Sequence, residues 1–144
     1  MEKEFVTYEL ALRMKALGFN GPCFGYFTKY EEFFYFDVDD LGSSYTKNMD
    51  NLVVSSVDEL KCSAPLFSQA FRWFREKYDL YPSINIYNDK WLCVIKSTVS
   101  SETEISGYIV ATINNGHPTF ETYEEAELKC LEKLIEIVES KTEK

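Results

Sequence analysis

Pro82-Ser83-Ile84-Asn85-Ile86-Tyr87-Asn88-Asp89-Lys90-Trp91-Leu92-Cys93-Val94-Ile95-Lys96-Ser97 is the stretch that settles the fold class. Residues 84–88 and 91–97 are rich in β-branched and aromatic side chains, which suit a pleated, half-buried surface. Asn88-Asp89-Lys90 between them is tight-turn chemistry, so the stretch predicts an antiparallel hairpin. Residues 105–113 read as a further strand.

Helices flank this strand region. On the N-terminal side, Phe67, Ala70, Phe71, Phe74 and Tyr78 recur at helical spacing and form an aromatic stripe for the core. Ser63 or Ala64 is expected to cap that helix, with Pro65 in its first turn, and Pro82 closes the region. On the C-terminal side, the turn at residues 114–118 leads to Thr122, which with Glu125 spells a capping box for a last helix over residues 122–139. Ala126, Leu128, Cys130, Leu131, Leu134, Ile135, Ile137 and Val138 give that helix an apolar arc wider than one surface stripe, and the polar tail 139–144 is expected to fray.

The first half repeats the theme. A helix is predicted from Thr7 to Gly18, with Leu10, Met14 and Leu17 on one face and Thr7 as its N-cap. Residues 23–28 and 32–37 read as an aromatic hairpin turning at 29–31, residues 39–51 as a polar loop, and residues 52–57 as a third strand. The order αβββαβββα predicts an α+β fold with a mostly antiparallel sheet, as one domain over residues 1–144. Echoes between residues 7–57 and 63–113 suit either a duplicated unit or chance similarity.

Composition bounds the function. With 45% apolar and 16% aromatic residues, including 11 Phe, 10 Tyr and 2 Trp, 144 residues suffice for a packed core without disulfide staples. The 15 Lys and Arg against 24 Asp and Glu leave a net charge of −9, which opposes docking on nucleic acid or anionic lipid. No apolar run is long enough for a membrane span and Met1-Glu2-Lys3-Glu4 begins no signal peptide, so a cytoplasmic protein is expected. Cys23, Cys62, Cys93 and Cys130 are scattered and are expected to be buried free thiols; a disulfide requires proximity that spacing does not reveal.

Motifs for chemistry are sparse. The six glycines spell neither a dinucleotide fingerprint nor a P-loop, and no cofactor is expected. Asp37-Val38-Asp39-Asp40-Leu41-Gly42 begins like a calcium loop but has Leu41 at position five and Asn48 at position twelve, where an oxygen donor and a carboxylate are needed. His117, the only histidine, reads as a turn residue beside Gly116 and Pro118. Arg72 and Arg75 on one flank of the second helix and Trp73 on the other offer donors and a stacking face to an anionic planar ligand or an acidic partner patch. Glu127 falls inside the apolar arc of the last helix, where it is either wet or faces a ligand.

The second half has the element order of double-stranded RNA-binding domains, but Thr122-Tyr123-Glu124-Glu125-Ala126 puts acidic residues where that family has lysines, which excludes RNA as a ligand. A second resemblance rests on Thr7-Tyr8-Glu9-Leu10-Ala11-Leu12 with Pro22-Cys23-Phe24, Ser63-Ala64-Pro65-Leu66-Phe67-Ser68-Gln69-Ala70-Phe71-Arg72-Trp73-Phe74, and Tyr123-Glu124-Glu125-Ala126-Glu127 through Ile137. These blocks resemble small uncharacterised accessory proteins of bacteriophages and prophages of Bacteroidetes-type gut bacteria. The resemblance implies a phage accessory context and carries over no catalytic residue. The leading expectation is a non-enzymatic protein that binds a host protein or sequesters a small anionic ligand. The alternatives are an enzyme using Glu127, Asp37 or Asp39 with Arg72, and an acidic mimic of nucleic acid.

Overall fold

A computed structural model describes residues 2–35, 60–98, 108–112 and 119–142. Its elements follow a short 3-10 turn at Glu2–Glu4 and are α1 (Tyr8–Ala16), β1 (Gly25–Thr28), β2 (Phe33–Tyr35), β3 (Leu60–Ala64), α2 (Phe67–Tyr78), β4 (Tyr81–Tyr87), β5 (Lys90–Ser97), β6 (Tyr108–Thr112), β7 (Thr119–Phe120) and α3 (Tyr123–Thr142). The fold is α+β with antiparallel pairing throughout the described strands, close to the predicted order. The loop at 39–51, the strand at 52–57, the turn at 114–118, Asp37, Asp39 and His117 lie outside the described residues. Two compact units divide the chain, Met1–Leu66 and Phe67–Lys144.

In the first unit, α1 stops because Gly18 takes φ 100°, a left-handed conformation that glycine adopts without strain. Gly18 N–H then donates to Lys15 O at 3.0 Å and Phe19 N–H to Met14 O at 2.9 Å, a Schellman ending that satisfies two free carbonyls. Thr7 occupies the N-cap in an extended conformation but its side chain makes no capping bond, contrary to expectation. Leu10 and Met14 are buried, as their spacing predicts, together with the neighbouring Ala11, while Leu17 is half-buried.

The first sheet runs β2-β1-β3. The β1–β2 hairpin turns through Glu31 at φ 67°, while the Thr28 hydroxyl accepts from Tyr30 N–H at 3.2 Å and Glu32 N–H at 3.4 Å. Thr28 thus supplies the acceptors that this three-residue connection leaves wanting. Gly25 is required by close approach: a Cβ there would come within 2.6 Å of the Phe33 ring and 2.9 Å of Phe34 O. Ser63 and Ala64 do not cap a helix. They end β3, with Gly25 opposite Ala64 and Tyr26 opposite Ser63, and the chain stays extended while Val6 N–H donates to Pro65 O at 2.9 Å. Burial of Cys62 and Ala64 in this ladder outweighs the local capping signal, so α2 begins only at Phe67.

In the second unit, Phe67, Ala70 and Phe74 of the predicted stripe are buried, with Phe71 and Tyr78 half-buried. The sheet runs β4-β5-β6, with β7 also paired to β5. The β4–β5 hairpin turns through Asn88 (φ 50°) and Asp89 (φ 62°), the pair of positive values that a two-residue type I′ turn demands. Pro82 lies inside β4, opposite Ile95, and does not stop short of the strand. It is tolerated because β4 is an edge among the described strands, where a missing N–H interrupts no ladder bond.

The capping box forms: Thr122 Oγ1 accepts from Glu125 N–H at 3.1 Å, and the Glu125 carboxylate accepts from Glu121 N–H at 3.2 Å, one residue before the expected donor. Ala126, Cys130, Leu131, Leu134, Ile135 and Val138 of α3 are buried, each of the large aliphatic ones contributing about 1.5–3 kcal/mol. The helix continues to Thr142, beyond the expected end, with the Ser140 hydroxyl donating to Ile137 O at 2.8 Å and that of Thr142 to Glu139 O at 2.9 Å.

Asp79 ties the end of α2 to the end of β5. It adopts φ 57°, its Oδ2 accepts from Ser97 Oγ at 2.8 Å and Thr98 N–H at 2.9 Å, and its Oδ1 accepts from Thr98 Oγ1 at 2.6 Å. Alanine there would lose the acceptors of Ser97 Oγ, Thr98 N–H and Thr98 Oγ1 and fit the left-handed backbone poorly. Asp79→Ala is therefore expected to cost about 2 kcal/mol, read as a lower urea midpoint at unchanged slope.

Candidate functional site

Two of the side chains singled out on α2, Arg72 and Trp73, are engaged by neighbours on their own helix. Arg72 Nε donates to Glu76 Oε1 at 2.8 Å, one turn on, and both side chains are largely exposed. That hydrogen bond and the Glu76 charge raise the guanidinium pKa above its ordinary value. The pair is the solvated i,i+4 type and contributes little to stability. Trp73 lies edge-on to Phe74 at 4.9 Å and to Tyr78 at 5.3 Å, with Lys77 Nζ 5.2 Å from its ring centroid. Its stacking face is thus shared with a lysine of its own helix. Arg75 and Glu127 are half-buried. Among the described residues no group of three or more His, Cys, Asp and Glu is arranged to hold a metal ion.

The cysteines differ from expectation. Cys93 on β5 and Cys130 on α3 form a disulfide across a sequence separation of 37, with Cα atoms 6.0 Å apart. Nothing in their spacing announces this pairing, which arises because both residues lie on the buried faces of elements that pack together. Cys23 and Cys62 are free and buried, as expected. Burial dominates their titration, pushing Cys23 up to about 12 against a lowering hydrogen bond with Ser63, and Cys62 up to about 11 against the lowering charges of Lys15 and Lys61.

Both thiols therefore stay protonated at neutral pH and are poor nucleophiles. A folded-state pKa raised above the ordinary 9.0 gives stability that is present below 9.0 and lost as pH climbs towards 11 and 12. Alkylation of the native protein near neutral pH should leave Cys23 and Cys62 unmodified. Denaturant alone should expose those two to alkylation, and denaturant with reductant should expose all four cysteines.

The first sheet carries a surface that sequence periodicity did not single out. Phe27, Phe33 and Tyr35 share one face with Phe5, with ring centroids 4.6 to 5.7 Å apart. Tyr26 and Phe34 are directly opposite each other on the other face, stacked at 5.8 Å with an interplanar angle of 23°. Phe34 is 43% exposed and Phe24, immediately before β1, is 41% exposed. Across the ladder Ser63 lies opposite Tyr26, and the exposed Lys61 falls at the register shift between Phe27 and Thr28. The signal available in the sequence was the run of aromatics on both strands of a hairpin, too many for one buried face.

Comparison of the chain with protein-family models, with curated proteins and with solved structures finds no match.

Proposed function

We propose that the chain is a non-enzymatic binding protein, a phage accessory protein that engages a host protein through the outer face of the β2-β1-β3 sheet. The observation that carries this reading is the exposure of Phe34, stacked on the half-buried Tyr26 across the β1–β2 ladder, and of Phe24 immediately before β1. Aromatic rings fixed by a strand expose large apolar area at low entropic cost, and aromatic side chains are enriched in the cores of protein interfaces. Arg72, Arg75, Trp73 and Glu127 carry less of the argument, because Arg72 is held by Glu76 and Trp73 by Lys77.

The test is affinity capture from host lysate with the wild-type chain, Phe34→Arg and Arg72→Ala, alongside native mass spectrometry of the purified protein. The expected result is a host protein retained by wild type and Arg72→Ala and lost with Phe34→Arg. A retained small metabolite with no captured protein, or capture indifferent to Phe34, would overturn the proposal.

A further inference from the structure

We infer that β4 is a self-association edge, on which a second copy of this chain adds its own β4 antiparallel to form one continuous sheet. Among the described residues β4 has a strand neighbour on one side only, β5. The hairpin geometry fixes which backbone groups point outward. A two-residue turn at Asn88-Asp89 makes Tyr87 and Lys90 the first hydrogen-bonded pair, so Asn85–Leu92, Ser83–Val94 and Tyr81–Lys96 are bonded in turn. The intervening Ile86, Ile84 and Pro82 therefore turn their backbone groups away from β5. Pro82 falls in that outward set, where its missing N–H leaves the internal ladder intact.

One symmetric register pairs both isoleucines of this edge and leaves Pro82 opposite the turn. Centred on Asn85, it sets Ile84 opposite Ile86 of the second copy and Ile86 opposite Ile84, with both N–H and C=O groups exchanged at each pair. Shifting the centre to Ile84 sets Ile86 against Pro82, which has no donor, and shifting it to Ile86 sets Ile84 against Asn88 of the turn. The same register covers Ile86, which is 69% exposed, with Ile84 of the other copy on the same sheet face.

Charge points to the same occupant. The strand Tyr81–Tyr87 contains no Asp, Glu, Lys or Arg in a chain of net charge −9. Exposed edges are commonly guarded by a charge or a proline; this one carries no charge, and its Pro82 lies outside the Ile84–Ile86 pairs. Two copies of an acidic chain can thus approach along β4 without like charges meeting within the paired strands.

The experiment uses the full chain. Sedimentation velocity is expected to show a concentration-dependent dimer with Kd on the order of 100 μM or tighter, as suits a small interface. Ile86→Lys should weaken it at least about tenfold with the thermal midpoint retained. Asn85→Cys places two thiols across the symmetry axis, about 4.5 Å apart at Cα, and should give a reductant-sensitive covalent dimer. Ser83→Cys, whose two copies lie about 13 Å apart in that register, should not. A chain still monomeric at about 1 mM, or equal cross-linking of Asn85→Cys and Ser83→Cys, would overturn the inference.

Discussion

Replacing Cys93 and Cys130 together with alanine is expected to lower the stability of the Phe67–Lys144 unit by about 4 kcal/mol. The disulfide closes a loop with a sequence separation of 37, and opening it returns that conformational freedom to the unfolded chain. For a unit of this size the loss corresponds to a thermal midpoint lower by roughly 20 °C. Reductant should produce a similar fall in the wild type and none in the double variant. An unchanged wild-type midpoint in reductant would contradict the cross-link's role. Disulfides persist in oxidising surroundings and are rare in a reducing cytosol, so this pair and the cytoplasmic expectation pull in opposite directions. Alkylation of protein quenched directly from its source, then counted by mass, decides between them.

Phe74→Ala should have the second large effect, about 3–5 kcal/mol. Phe74 is fully buried on α2, its ring centroid 4.9 Å from that of Trp73 and 5.8 Å from that of Tyr78, and its carbonyl accepts from Leu80 N–H at 3.2 Å. Removing the ring leaves a cavity and frees Trp73, so the urea midpoint should fall together with the near-ultraviolet circular dichroism of the tryptophan. Arg72→Ala on the same helix removes only an exposed pair and should change stability by less than about 0.5 kcal/mol.

Local rules read most of the fold correctly where signal and structure act over a few residues. The Asn88-Asp89 turn, the Gly18 helix stop and the Thr122–Glu125 cap all involve backbone groups within five positions, and all formed. The failures came where distant chain competes. Ser63 and Pro65 look like a helix start, yet pairing of β3 with β1 across some forty residues holds that stretch extended. The Cys93–Cys130 pair depends on α3 packing against β5, which no spacing encodes. On α2 the arginines and Trp73 were visible as chemistry, but their neighbours Glu76 and Lys77, also visible, were the better guide to what they do. The aromatic row of the first sheet was hidden because alternation assigns Phe27 and Tyr26 to opposite faces without saying which face is covered.

The proposed recognition of a partner rests on the exposed rings of Phe24 and Phe34. It is tested most directly by titrating the captured host protein against wild type, Phe34→Ala and Arg72→Ala, each first shown to melt cooperatively. The account predicts that Phe34→Ala weakens binding at least about tenfold while Arg72→Ala leaves it unchanged. Equal affinity for wild type and Phe34→Ala, with loss confined to Arg72→Ala, would contradict it.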